Sequence, residues 1–188
     1  ERLRGEESHH LRLAASAAAL THHLPEVLQA LRAEFPTLRL TLRELHNPDI
    51  EVALRKMEAD VAIAILHRKS TPGLKSVKLI DIPLAIAAPA SSPINKFREL
   101  TARAAGGLIQ HPLIALPRIE PASQLFQQGL TARNLRWEPS MEASELGLIQ
   151  NYVAKGFGFG SAVDIPGAVW PDGVKKISLP KDFPPLTS

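Results

Sequence analysis

Residues 11–66 read LRLAASAAALTHHLPEVLQALRAEFPTLRLTLRELHNPDIEVALRKMEADVAIAIL and alternate short extended runs with amphipathic helical ones. Apolar side chains recur at three- and four-residue spacing in residues 24–35, with Pro25 near the start and Pro36 at the end, which predicts a helix. Residues 38–45 alternate apolar and polar side chains, as in a strand with one covered face. The resulting β-α-β-α-β order predicts a doubly wound α/β layer.

The remaining elements of this layer follow from the same patterns. Leu11–Ser16 is predicted to be a strand that ends in small residues. Asn47-Pro48-Asp49 is a turn and helix-start signal, and the apolar residues that follow at the spacing of one helix face are Ile50, Ala53, Leu54 and Met57. The continuous apolar run Val61–Leu66 is typical of a strand that is buried on both faces of a parallel sheet.

A second α/β cycle follows residue 73. Residues 79–89 predict a strand pair, or one long strand interrupted at Pro83. The later predicted elements are a strand at Leu113–Leu116, a helix at Ser123–Asn134, a strand at Arg136–Met141, a helix at Leu146–Val153, and strands at Phe157–Val163 and Val174–Leu179. After residue 179 the proline-rich tail is predicted to be irregular, with no closing helix. The predicted architecture is two α/β units that are joined by extended segments.

Composition narrows the class of protein. The 188 residues are 45% hydrophobic and 22% charged, so the chain can bury one sizeable core or two small ones. The absence of cysteine excludes disulfides, thiolate zinc sites and a cysteine nucleophile, and suits a cytoplasmic location. No apolar run approaches the roughly 20 residues of a membrane span. A net charge of +3 is weak evidence for nucleic-acid contact by this segment.

The sequence predicts neither a catalytic site nor a metal site, and no cofactor. The glycine-rich run 156–160 lacks dinucleotide-binding spacing and is better explained as a helix end leading into a closely packed strand. The histidine pairs at 9–10 and 22–23 have no ligand spacing and are interpreted as surface or pocket-edge residues. Glu142 and Glu145 stand near a helix start, where the dipole favours negative charge.

Small and polar residues follow several predicted strands. Ligands of open α/β sheets bind beyond the carboxyl ends of strands, where helix N-termini present free N–H groups. Ser16 and Ala17 follow the first strand, His67 follows the third, Arg118 follows a strand of the second unit, and Ser144 precedes a helix. Together these groups suit a small anion. The alternative, that each serine only caps a helix and each basic side chain is solvated, stays open.

Five segments, in this order and spacing, carry a resemblance to a known family. They are LRLAAS, HLPEVLQALRAEFPTLRLTL, EVALRKMEADVAIAI, GLKSVKLIDIPLAIAAPASSPI and LGLIQNYVAKGFGFGSAV. They resemble the effector-binding domain of LysR-type transcriptional regulators over nearly the whole chain. The resemblance implies two Rossmann-like α/β subdomains of the type 2 periplasmic-binding-protein kind, with an effector bound in the cleft between them.

The resemblance also implies boundaries and site residues. Residues 1–10 are expected to end a linker from an absent DNA-binding domain, residues 11–86 to form subdomain I without its C-terminal return, and residues 87–188 to form subdomain II. The implied ligand-binding residues are Ser16, Ala17, Leu66, His67, Pro117, Arg118, Ser144 and Phe159.

The function implied by the resemblance is effector sensing and dimerisation. A small, anionic effector would modulate DNA binding and transcription, and the domain would form a homodimer or tetramer through surfaces near residues 28–35 and 123–134. DNA contact would run only through the absent winged helix, and no membrane partner is expected. An alternative is a periplasmic solute-binding protein of a transporter, and an enzyme on the same fold is a third hypothesis.

Overall fold

The computed structural model describes four stretches of the chain, residues 10–17, 19–65, 72–102 and 104–187, apart from the side chains of His22 and Asn47. These residues form two compact units. Unit 1 comprises residues 10–17, 19–64 and 72–76, and unit 2 comprises residues 65, 77–102 and 104–187.

Unit 1 has the predicted β-α-β-α-β order. Its elements are β1 (His10–Ala15), α1 (Pro25–Glu34), β2 (Arg39–Glu44), α2 (Asn47–Arg55) and β3 (Val61–Ile63), with a π-helical turn at Ala19–His23. The three strands form a parallel sheet in the order β2-β1-β3. The first strand is therefore the central one, as in a doubly wound layer.

The start of α1 is explained by its proline. Pro25 occupies the first turn, where a missing N–H is not needed, and the backbone leaves the helix at Phe35. Leu24 and Leu28 bury their side chains against β1, which confirms the predicted inward stripe in part. Val27 and Phe35, however, remain 59% and 42% exposed, so the stripe extends beyond what unit 1 covers.

Two expectations for unit 1 were wrong. The third strand was predicted to be buried on both faces, yet β3 is a short edge strand in which Val61 is 42% exposed. The cause is the sheet order, because β1 occupies the centre and β3 has one neighbouring strand in the described chain. Met57 was expected to face inward but is exposed, because the backbone turns to a φ of +54° just past α2.

Unit 2 is built on a five-stranded mixed sheet in the order β7-β6-β8-β5-β9. Strand β5 runs antiparallel to β8 and β9, whereas β6 runs parallel to β7 and β8. Its elements in chain order are β4 (Asp81–Ile82), β5 (Leu84–Pro89), α3 (Phe97–Thr101), β6 (Leu113–Ala115), α4 (Pro121–Thr131), β7 (Met141–Glu142), α5 (Leu146–Ala154), β8 (Phe159–Val163), β9 (Val174–Ser178) and β10 (Leu186–Thr187).

Each face of this sheet carries its own core. Aromatic rings fill one side: Phe97 and Phe183 meet edge to face at 5.5 Å, and Phe126 lies 6.2 Å from Trp137. The fully buried Trp137 donates its indole N–H to the His111 carbonyl at 2.7 Å, so its polar atom is satisfied. Helix α5 covers the other side.

The glycine-rich run has the predicted structural role. Gly156 ends α5 with a φ of +82°, which glycine adopts without strain. A Cβ on Gly160 would lie 2.4 Å from Cγ2 of Ile149, so the missing side chain lets α5 approach β8 closely.

Two strand predictions for unit 2 need correction. The strand expected at Arg136–Met141 is reduced to β7, with a single bridge at Arg136, because Pro139 lacks the N–H that a ladder needs. The tail was expected to be irregular after residue 179, but Leu186–Thr187 forms β10 and pairs antiparallel with β4.

Candidate functional site

The carboxyl ends of β6 and β7 bring two predicted site segments together in unit 2. The strands are parallel with Ala115 opposite Glu142, and the amide of Ala143 donates to the Ala115 carbonyl at 3.0 Å. Residues 117–118 leave β6 at this edge and Ser144 leaves β7 beside them. We call residues 117–118 and 144 the strand-end edge of unit 2.

The turn that leaves β6 is held by two side chains. Gln124, in the first turns of α4, donates its amide to the carbonyls of Arg118 and Ile119 at 3.2 and 3.3 Å. The buried hydroxyl of Ser161, on β8, accepts the amide N–H of Leu116 at 3.4 Å. The backbone around Arg118 is therefore anchored to both the helix and the sheet.

The Arg118 side chain is 69% exposed and pairs with Glu138, Nη2 to Oε2, at 2.7 Å. An exposed pair of this kind contributes little to stability. The guanidinium keeps further N–H donors that a ligand could use. The Glu138 carboxylate would compete with an anionic ligand for the positive charge of Arg118. Sequence reasoning missed Glu138 because it lies 20 residues from Arg118, and only strand register brings the two side chains together.

Ser144 is exposed and precedes α5 by two residues, but the N-cap position belongs to Glu145. The Glu145 side chain makes no capping hydrogen bond. The first amides of α5 have no partner within the helix, and they carry the positive end of its dipole. The Ser144 hydroxyl and these amides are therefore hydrogen-bonding groups at the strand-end edge of unit 2.

In unit 1 the exposed Ser16 directly follows β1. Its hydroxyl accepts the Ala19 amide at 3.4 Å and its carbonyl accepts the Leu20 amide at 3.0 Å. The capping alternative thus describes part of its role, although a hydroxyl that accepts one hydrogen bond can still donate another. Ala17 is half-buried beside it. Because β2 and β3 flank β1 on opposite sides, this is a topological switch point.

Among the other predicted site residues, Phe159 is not brought to these strand ends. Phe159 stands at the amino end of β8, opposite Leu113 at the start of β6, and is buried. Its ring lies 5.3 Å from His111 and 6.0 Å from Trp137 in the aromatic core. Leu66 and His67 lie outside the described residues.

Two aspartates outside the strand-end segments have a lowered pKa because each is paired with an arginine. Hydrogen bonds from the side chain and amide of Arg12 lower the pKa of Asp60 to about 2. The Arg133 guanidinium lowers the pKa of Asp182 in the same way. Asp60 precedes β3 and Asp182 follows β9, so neither residue belongs to the strand-end segments. These shifts indicate surface ion pairs.

The described residues contain neither a group of metal ligands nor a membrane-spanning helix. Within residues 10–17, 19–65, 72–102 and 104–187, no three histidine or acidic side chains are grouped as metal ligands. Over the same part of the chain, every helix is too short or too polar to span a membrane.

Comparison with known proteins gives one family and several relatives. The family model described as LysR substrate binding domain matches residues 4–182. The HTH-type transcriptional regulator cbl of Escherichia coli (strain K12) is 25% identical over 150 residues, which are 80% of this chain and 46% of that protein. The chain spans about half the length of the curated relatives it matches.

Solved structures show the same fold. The cofactor-binding domain of the Cbl transcriptional regulator superposes with a TM-score of 0.82 at 20% identity, covering 100% of this chain and 81% of that one. The effector binding domain of QuiR in complex with shikimate has a TM-score of 0.76 at 14% identity, covering 97% and 88%. These likenesses confirm the predicted fold class.

Proposed function

Because this chain belongs to the LysR substrate-binding-domain family, we propose that it senses an effector for a transcriptional regulator. Binding would favour one conformation of the regulator and thereby change how its DNA-binding domains engage DNA. The family consists of transcriptional regulators, so the match does not favour the alternative of a transporter's solute-binding protein. Because a transcriptional regulator acts on DNA, we also propose a cytoplasmic location.

We propose that the effector is a small organic anion. The register of β6 and β7 supports this proposal, because Arg118 and Ser144 follow the carboxyl ends of these two neighbouring parallel strands. Both groups donate hydrogen bonds, and the first amides of α5 add further donors. The shikimate bound to the QuiR domain is a small carboxylate, which supports this chemical class.

Unit 1 contributes its own part to the proposal. Ser16 and Ala17 leave the central strand at a topological switch point, where open α/β sheets bind ligands. We propose that the Ser16 hydroxyl donates to the effector and that Pro117, Leu66 and His67 also contact it. Phe159 has no part in this proposal because it is buried in the aromatic core.

Thermal unfolding against a panel of small carboxylates, amino acids and inorganic anions tests this proposal. A ligand at about 100 times its Kd stabilises a fold by roughly 2.7 kcal/mol, which raises the Tm of a chain this size by about 5–10 °C. The shift is expected to shrink in Arg118→Gln and Ser144→Ala and to persist in Lys155→Gln, a matched change of an exposed cation past the end of α5. A shift that is equal in all variants, or absent for every compound, would contradict the proposal.

We also propose that the domain self-associates as a homodimer or tetramer. Val27 and Phe35 leave an apolar stripe open on α1, and exposed Leu42 adds to the apolar surface of unit 1. Sedimentation velocity tests this proposal: Val27→Glu is expected to shift the protein toward monomer, whereas Val169→Glu, on an exposed loop of unit 2, is not. A monomeric wild type would refute self-association, and a Val27→Glu variant that associates normally would refute this surface.

A further inference from the structure

Unit 2 carries a surface groove of about 540 Å³ that shares no residue with the strand-end edge. Three cationic side chains, Lys96, Arg98 and Arg133, line it, and its lining contains no carboxylate. Phe97 and Leu179 contribute apolar surface. The groove therefore combines positive charge with an apolar base, and its volume falls in the range of small-molecule sites.

The backbone that presents Lys96 is pinned by charged side chains. Lys175, on β9, donates to the Ser92 carbonyl and, at 2.8 Å, to the Asn95 side-chain oxygen. Glu99 accepts the amides of Asn95 at 2.8 Å and Lys96 at 3.3 Å. The main chain at this wall is thus fixed before any ligand arrives, which lowers the entropic cost of binding.

Arg133, which also lines the groove, is held by two contacts. It donates from Nη2 to Asp182 Oδ1 at 2.5 Å, and its guanidinium carbon lies 5.9 Å from the centre of the Phe183 ring. This pairing leaves further guanidinium N–H groups available. Lys96 and Arg98 form no ion pair within the described part of the chain. The Glu99 carboxylate accepts hydrogen bonds from two backbone amides and also interacts electrostatically with both cations.

We propose that this groove is a second ligand site, for a small organic dianion whose apolar part contacts Phe97 and Leu179. A phosphoryl group or a pair of carboxylates would accept hydrogen bonds from Arg98 and Arg133, with Lys96 supplying a third positive charge. Each site has one arginine that a carboxylate already engages, Arg133 in the groove and Arg118 at the strand-end edge, but only the groove adds two cations that form no ion pair among the described residues. The two sites therefore differ in the charge of the ligand they favour.

Isothermal titration of the 188-residue chain with phenyl phosphate tests the groove, with inorganic phosphate and phenol as matched probes for charge and ring alone. Phenyl phosphate is expected to bind about tenfold more tightly than either probe, because only it uses both features. Arg98→Gln is expected to weaken phenyl phosphate about tenfold and Lys155→Gln to leave it unchanged. Arg98 is exposed and unpaired within the described residues, so its replacement leaves the fold intact.

Three outcomes would overturn the second site. The first is no heat of binding for phenyl phosphate at millimolar concentration. The second is equal affinity of the wild type and Arg98→Gln. The third is binding that Arg118→Gln abolishes while Arg98→Gln preserves it, which would place the dianion at the strand-end edge instead.

Discussion

Replacing Gly160 by alanine is expected to destabilise unit 2, because the contact between β8 and α5 has no room for a methyl group. A Cβ at this position would lie 2.4 Å from Cγ2 of Ile149 and 2.9 Å from Cγ2 of Val153. Both neighbours are fully buried. Their methyl groups sit on β-branched carbons, which have one strongly preferred rotamer in a helix, so relief requires α5 to move away from the sheet.

The loss of stability can be estimated from the number of these contacts and from how short they are. Overpacking a core costs about 1–3 kcal/mol, and two contacts closer than ordinary van der Waals distance place Gly160→Ala in the upper half, about 2–3 kcal/mol. For a chain of this size the Tm would fall by roughly 4–12 °C. Urea titration followed by circular dichroism measures the free energy of unfolding directly, and an unchanged m-value would show that stability alone had changed.

Gly147→Ala is the matched control because it makes the same chemical change on the exposed side of α5. The nearest atom to a Cβ there is a Glu145 carboxylate oxygen at 3.9 Å, so alanine fits. It is expected to stabilise by about 0.4–1 kcal/mol through a less flexible unfolded chain. A Gly160→Ala variant as stable as wild type would refute the tight packing that positions α5, and with it Ser144.

Two further variants test the electrostatics. Glu138→Gln removes the carboxylate that pairs with Arg118, so an anionic effector is expected to bind several-fold more tightly. Isothermal titration calorimetry measures this affinity. An unchanged or weaker affinity would argue against Arg118 as the effector's partner. Asp60 has its pKa lowered from 3.8 to about 2 by Arg12, so its stabilisation is complete above about pH 4 and is lost as the pH falls through 2. The Tm difference between wild type and Asp60→Asn should therefore narrow from pH 5 to pH 2, and a constant difference would show that this ion pair does not contribute as described.

Local patterns predicted most of the helices and strands. The proline at the start of α1, the helical spacing in α5 and the glycines before β8 each act through neighbours within a few residues, so the sequence carries them directly. Pairing between distant segments has no such local pattern. Strand β10 pairs with β4 through Thr187 and Asp81, which are 106 residues apart, so the prolines of the tail predicted irregular chain and nothing nearby predicted the pairing.

The sequence likewise predicted the parts of the candidate site that depend on neighbouring residues and not the parts that depend on strand pairing. Strand ends are visible in the sequence, so the positions of Ser16, Arg118 and Ser144 followed from their neighbours. Which end of a strand faces a site depends on strand direction and register, and that is why Phe159 lies in the aromatic core. The Glu138 carboxylate depends on register as well.

The strand-end residues Ser16, Arg118 and Ser144 are proposed to bind a small anionic effector. Amide chemical-shift mapping of the ¹⁵N-labelled chain, titrated with the compound that raises its Tm most, tests this claim directly. The largest shifts are predicted at Ser16, Arg118 and Ser144, with smaller changes along α5. Shifts confined to other surfaces, including the groove near Arg98, would contradict the claim.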